Sequence, residues 1–154
     1  MRIEVATGSH VTEIVEIWKE FMDFHKRIDP FFSRSEHGHE KFGEFVKDSI
    51  NSGEFLILVG LERRRVVAYT IGRIAKRPPV FEDREYGLIV DMAVRPRYRR
   101  RGFGEEMLAK LCEWFESRNI RRIELNVVPE NHIGYSFWKK HGFREYLHVL
   151  HLDR

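Results

Sequence analysis

The stretch that most limits how this chain can fold lies past its midpoint, where "YGLIVDMAV" (residues 86–94) runs into "RPRYRRRGFGEEML" (residues 95–108). The first segment is apolar except at Asp91, and its length suits a strand buried on both faces. The second opens on a basic loop and ends in Met107 and Leu108, which with Leu111 and Phe115 keep the spacing of an amphipathic helix. Strand, loop and helix must therefore follow one another directly. A helix start presents unpaired N–H groups and the positive end of the peptide dipole, which together attract phosphate. Gly102 and Gly104 would let a ligand approach the backbone. Arg95, Arg97, Arg99, Arg100 and Arg101 add positive charge around it. These residues suit a diphosphate cradle, and they suit a solvated basic turn equally well.

Competing phosphate motifs fail on detail. There is no G-x-x-x-x-G-K-[ST] sequence. "GFGEEM" places Met107 where G-x-G-x-x-G needs its third glycine, and the loop from Val94 to Gly102 is too long for the tight turn of a dinucleotide fold. Glu124 stands at the distance from Gly104 of a ribose-binding acid, the one point in favour of such a fold.

Around this centre the pattern is mixed. "RIEV" reads as a strand, and Ser9 as the cap of a helix carrying Val11, Ile14, Val15, Trp18, Phe21 and Met22 up to Asp29-Pro30. A second helix is predicted from about Glu40 to Ile50, with Phe42, Phe45 and Val46 inward. "EFLILVGLERRRVVAYTIGRI" reads as a hairpin around a charged turn, and "AKRPPVFEDRE" as a loop. After the central helix, ending near Arg118-Asn119, "RRIELNVV" reads as a strand. "HIGYSFWKKHG" reads as a short helix stopped by Gly142, and "REYLHVLHL" as a closing strand. Repeats and linkers are absent, so residues 1–154 are expected to form a single domain of mixed α+β class.

Composition narrows the function classes. Hydrophobic residues make up 42% and charged residues 33%, the balance of a globular domain. No segment approaches the ~18 consecutive apolar residues of a membrane span, and "MRIEVATGSH" lacks a secretory core. Cys112 is the only cysteine, so neither an internal disulfide nor a cysteine zinc site is expected, and the cytoplasm is the expected compartment. His37 and His39 lack a third ligand, and no metal is expected. The net charge of +3 and pI of about 9.1 imply an anionic ligand near the arginine cluster without choosing between nucleic acid and a phosphorylated small molecule.

The central stretch resembles the acetyl-CoA-binding motif of the GNAT acetyltransferase superfamily. The signature (Q/R)-x-x-G-x-(G/A) is met by Arg99-Arg100-Arg101-Gly102-Phe103-Gly104, and a second family motif, an Asn and a helix ending in Gly-Phe, by "NHIGYSFWKKHGF" from Asn131 to Gly142-Phe143. The resemblance extends over essentially the whole chain. It implies a three-layer α+β fold with a mostly antiparallel, twisted sheet of about seven strands, its central pair splayed, and about four helices. It also implies that the backbone at Met92, Ala93 and Val94 binds the pantetheine arm like an added strand. The N–H groups from Arg100 to Glu105 would hold the pyrophosphate, and Asn131 would touch the arm from the other side. The implied activity is direct acetyl transfer from acetyl-CoA to a primary amine, a protein N-terminus or a small molecule, by a monomer or homodimer.

Proton-transfer groups are harder to find. Members acting on protein N-termini carry a glutamate base and a tyrosine acid where this chain has Asn126 and Trp138, neither of which exchanges a proton near neutral pH. Other members place a carboxylate on the strand before the loop. Leu88 and Val90 are apolar, and alternation would turn Asp91 to the other face. Tyr135 is a candidate acid, and Glu85 or Glu124 acting through water are candidate bases. A missing base favours acceptor amines of low pKa. His25, Asp29, Phe31 and Phe32 fall at the turn that lines the acceptor pocket in this family. Two other readings stand beside the enzyme: a non-catalytic CoA-binding module, and a nucleic-acid-binding domain, for which no recognition helix or repeated stacking aromatics are evident.

Overall fold

Apolar runs buried on both faces form the centre of the sheet, which builds outward from its N-terminal edge. In the computed structural model, which describes residues 1–154, β1 (Arg2–Val5) pairs antiparallel with β2 (Phe55–Glu62), and β2 with β3 (Arg65–Lys76). The turn between β2 and β3 is made by Arg63 and Arg64, both left-handed at φ 49° and 69°, the conformation a tight hairpin demands. β3 then pairs antiparallel with β4 (Glu85–Val94), and β5 (Ile123–Glu124) joins β4 in parallel. Five strands thus lie in sequence order.

Two helical layers cover the sheet. On one face α1 (Val11–Ile28) and α2 (Gly38–Ile50) bury Val11, Ile14, Ile17 and Val46 against Val59, Tyr69 and Ile71. On the other, α3 (Phe103–Ser117) and α4 (His132–Lys140) bury Leu108, Leu111, Phe115 and Trp138 against Leu58, Ile74 and Ile89. Glycine on the strands lets α3 settle closely. A Cβ on Gly60 would lie 2.6 Å from the Phe103 ring, and one on Gly87 would lie 2.8 Å from Phe115.

The class and layering match the expectation, and the strand count falls short of seven. "RRIELNVV" supplies only two strand residues. Residues 144–152 form no strand, although their alternation reads as one. Alternation needs a hydrogen-bonded neighbour to become a strand, and this segment is held instead by side chains such as Tyr146, whose hydroxyl donates to Glu124 at 2.6 Å. Val149, Leu150 and Leu152 are consequently more than 80% exposed. The start of α1 also differs: His10 is the cap, and its Nδ1 accepts from Thr7 N at 3.0 Å in the preceding turn, leaving Ser9 inside that turn.

Candidate active site

The site begins where the sheet stops pairing. β4 and β5 are in register only at Gly87–Ile123 and Leu88–Glu124, so β4 continues to Val94 with that edge free. Arg95 N bonds back to Val67 O on β3 at 2.9 Å, and alternation turns the amide groups of Met92 and Val94 toward the slit instead. Val94 O already accepts from Arg99 Nε at 3.0 Å, as expected for a carbonyl facing away from β3. Ala93 faces differently, its side chain packing on the α1–α2 layer.

Past the slit comes the glycine loop. Arg100 is held at φ 61° and Gly102 at φ 93°, and Gly102 caps α3. The first helical bond runs from Glu106 N to Gly102 O at 3.0 Å, so the N–H groups of Phe103, Gly104 and Glu105 have no helical acceptor and form a concave donor set. A Cβ at Gly102 would approach only Met1, at 3.9 Å, so the cradle is open there. Gly104 is a glycine for a different reason: a Cβ would lie 3.1 Å from Phe137 on α4. This donor set fits a diphosphate. The arginines are divided in their engagements. Arg95 pairs with Glu20 on α1 at 3.2 Å, away from the cradle, and Arg101 stacks over Tyr98 at 5.3 Å.

Asp91 is the residue that alternation misplaced. Ile71 pairs with Asp91 and Gly72 with Ile89, so Val90 has no partner and β4 carries a bulge there. One extra residue reverses the facing of everything after it. Asp91 thereby turns onto the α1–α2 face beside Tyr69, whose hydroxyl donates to its Oδ2 at 3.1 Å, while Thr70 Oγ1 donates to Asp91 O at 2.8 Å. Burial raises the Asp91 carboxyl to about 7 despite the bond from Tyr69, which favours the ionised form. Burial first, and Asp91 second, push the Tyr69 phenol well upward, so it stays a donor. A carboxylate balanced near neutral pH at the edge of a slit is equipped to take a proton. The signal in the sequence was the lone charge in "YGLIVDMAV".

Several of the other candidates are engaged elsewhere. Burial would raise Glu124, but bonds from Tyr146, from Arg122 at 2.8 Å and from Arg77 outweigh it and bring the carboxyl to about 2. It is thus a poor base. Glu85 is exposed at the opposite end of β4, opposite Lys76. The Tyr135 hydroxyl donates to Glu145, which with some burial raises its pKa. Asn126 is exposed beyond β5. Asn131 caps α4, its Oδ1 accepting from Gly134 N at 3.1 Å. Trp138 is buried, edge-on to Phe137 and Phe143. At the end of α1, buried His25 lies among Phe21, Phe24 and Phe32, with its Nδ1 2.9 Å from Phe21 O. Phe31 stands exposed on the turn that Asp29 caps. His37 and His39 face only Glu40. No helix is long and apolar enough to cross a membrane.

Known proteins resemble the chain in sequence or in fold. An uncharacterised N-acetyltransferase of Methanocaldococcus jannaschii is 38% identical over 64 residues, which is 42% of this chain and 28% of that protein. The chain therefore spans well under two thirds of that relative. Among solved structures, a protein of Clostridium acetobutylicum described as a predicted acetyltransferase with acetyl-CoA superposes with a TM-score of 0.79 at 20% identity, over 99% of this chain and 95% of that one. An aminoglycoside 6'-N-acetyltransferase of Acinetobacter haemolyticus superposes with a TM-score of 0.78 at 14% identity, over 100% and 98%. The model of the acetyltransferase (GNAT) family matches residues 13–143, from the first turn of α1 to the Gly-Phe after α4. The match takes in the parted strands and the glycine cradle alike, and the chain belongs to the GNAT acetyltransferase family.

Proposed function

We propose that the chain is an N-acetyltransferase that moves an acetyl group from acetyl-CoA directly to a primary amine, with Asp91 as general base. The observation that carries this reading is the bulge at Val90, which turns a carboxylate of pKa about 7 toward Tyr69 on the part of β4 whose other edge is unpaired. Acetyl-CoA supplies a thioester, an acyl group already activated toward amines. The donors of Phe103, Gly104 and Glu105 would hold its pyrophosphate, and the free edge of Met92 and Val94 its amide-bearing arm. Asp91 would accept the proton lost as the amine nitrogen bonds to the acetyl carbon and the carbon–sulfur bond breaks. The thiolate leaves with little help, since an ordinary thiol has a pKa of about 8.5, and this offsets the absence of an acid at Trp138.

A base at Asp91 also widens the acceptor range. Without one, an α-amino group of pKa about 7.7–8.0 would be greatly favoured over a lysine of about 10.4. With one, both classes belong in the screen, as do aminoglycosides, the substrates named for the Acinetobacter haemolyticus enzyme. The test measures CoA release from acetyl-CoA with an aminoglycoside, a peptide with a free α-amino group and an N-capped lysine peptide. Turnover is expected with at least one. Asp91→Asn should reduce kcat about 100-fold or more, and Gly102→Glu should abolish acetyl-CoA binding in calorimetry with circular dichroism unchanged. Tight acetyl-CoA binding without turnover on any amine would favour a CoA-binding module instead.

A further inference from the structure

We propose that Tyr69 is a positioning residue for the reaction: from β3 its hydroxyl fixes the Asp91 carboxylate at the bulge, while the adjacent Thr70 fixes the carbonyl of the same residue. This rests on the reading of Asp91 as base. The bulge leaves Val90 without a partner and interrupts the ladder next to Asp91. Two side-chain bonds, 3.1 Å to Oδ2 and 2.8 Å to the carbonyl, add to the pairing of Asp91 with Ile71. Tyr69 and Thr70 are both fully buried, and the Tyr69 ring lies 6.3 Å from that of Phe42, so neither donor can drift. A phenol in an apolar layer without a partner would be destabilising relative to phenylalanine. Asp91 is the partner that makes a tyrosine tolerable at this position.

Other charged groups near this face are engaged elsewhere. From α1, Glu20 pairs with Arg95, and His25 bonds to Phe21 O. From α2 the neighbour of Tyr69 is Phe42, and the flanking Val90 and Met92 carry no charge. Burial, which raises Asp91, and the Tyr69 bond, which lowers it, are the two influences on its ionisation. Removing the phenol leaves burial unopposed. The carboxylate then ionises at higher pH, and its loss of orientation adds to the effect.

The experiment follows the Asp91 carboxyl carbon by NMR titration of the ligand-free full chain, together with kcat/KM against pH for acetyl-CoA and the best amine of the screen. Wild type should inflect near 7. Tyr69→Phe should inflect about one pH unit higher, which alone makes kcat/KM about eightfold lower at pH 6.5, and a smaller deficit from the lost orientation should remain at pH 9. Site-specific 3-fluorotyrosine at position 69 keeps the shape and is a stronger donor, so its inflection should fall below wild type. A Tyr69→Phe protein that fails to fold leaves that isosteric variant to decide. Coincident inflections in all folded proteins, with Asp91→Asn inactive, would overturn the role of Tyr69 alone. Full activity in Asp91→Asn would instead overturn the base assignment on which it rests.

Discussion

At Asp91 the native chain holds a proton that the unfolded chain gives up, because burial lifts the carboxyl to about 7 from an ordinary 3.8. Linkage then fixes a sign. Below about pH 4 both states are protonated and the stabilisation is fully present; it is lost progressively as pH rises to about 7. Asparagine imitates the neutral acid at every pH. Asp91→Asn should therefore melt near wild type at pH 4 and progressively above it toward pH 8, in the same protein that has lost activity. Differential scanning fluorimetry across that range checks this, and a gap that stays constant with pH would contradict it. Glu124 has the opposite sign: its stabilisation is present above about 4.5 and lost as pH falls toward 2. Tyr135, committed to Glu145, should be nearly silent in turnover, and Tyr135→Phe is expected within about threefold of wild-type kcat. A 100-fold loss, the scale of a general acid, would show that its hydroxyl leaves Glu145 during the reaction. The sequence made Gly102 legible because only a residue free to adopt positive φ suits that cap. It hid Asp91, whose facing depends on a bulge set by pairing with β3, a long-range relation absent from local alternation.

The elements show the same division between local and distant causes. α1 to α4 were legible because each helix writes its own apolar stripe and stop signals, such as Gly142 at φ 92° after α4. β5 and residues 144–152 were over-read, since a strand is completed by a neighbour and not by its own pattern. Glycines on the strands were also silent in the sequence, and the packing of α3 explains them. At Gly87 an added Cβ would press on three atoms of the Phe115 ring at 2.8–2.9 Å, and that ring is fully buried. Gly87→Ala should destabilise by about 1–3 kcal/mol. Melting should fall by about 3–8 °C. Gly8→Ala, where a Cβ meets nothing within 4 Å, serves as the control and should melt within about 2 °C of wild type. Equal effects at the two positions would mean that the α3 interface adjusts freely to the added methyl.

In the whole molecule the sheet divides two helical layers, and the parting of β4 from β5 is its opening. The cradle at the start of α3 loads one side, since Phe103 and Met107 pack on that face. Asp91 stands toward the other, with Tyr69 and α1. The sheet is thus a septum with a single slot, and on the proposed reading the thioester and the amine meet in it from opposite compartments. Neither substrate obstructs the path of the other, so either can enter first, and neither must depart before its companion arrives. Initial-rate plots should give intersecting lines, with CoA competitive toward acetyl-CoA and non-competitive toward the amine. Parallel lines would mean that the acetyl group rests on the protein between the two encounters, and a slot open to both sides would have no part in the kinetics.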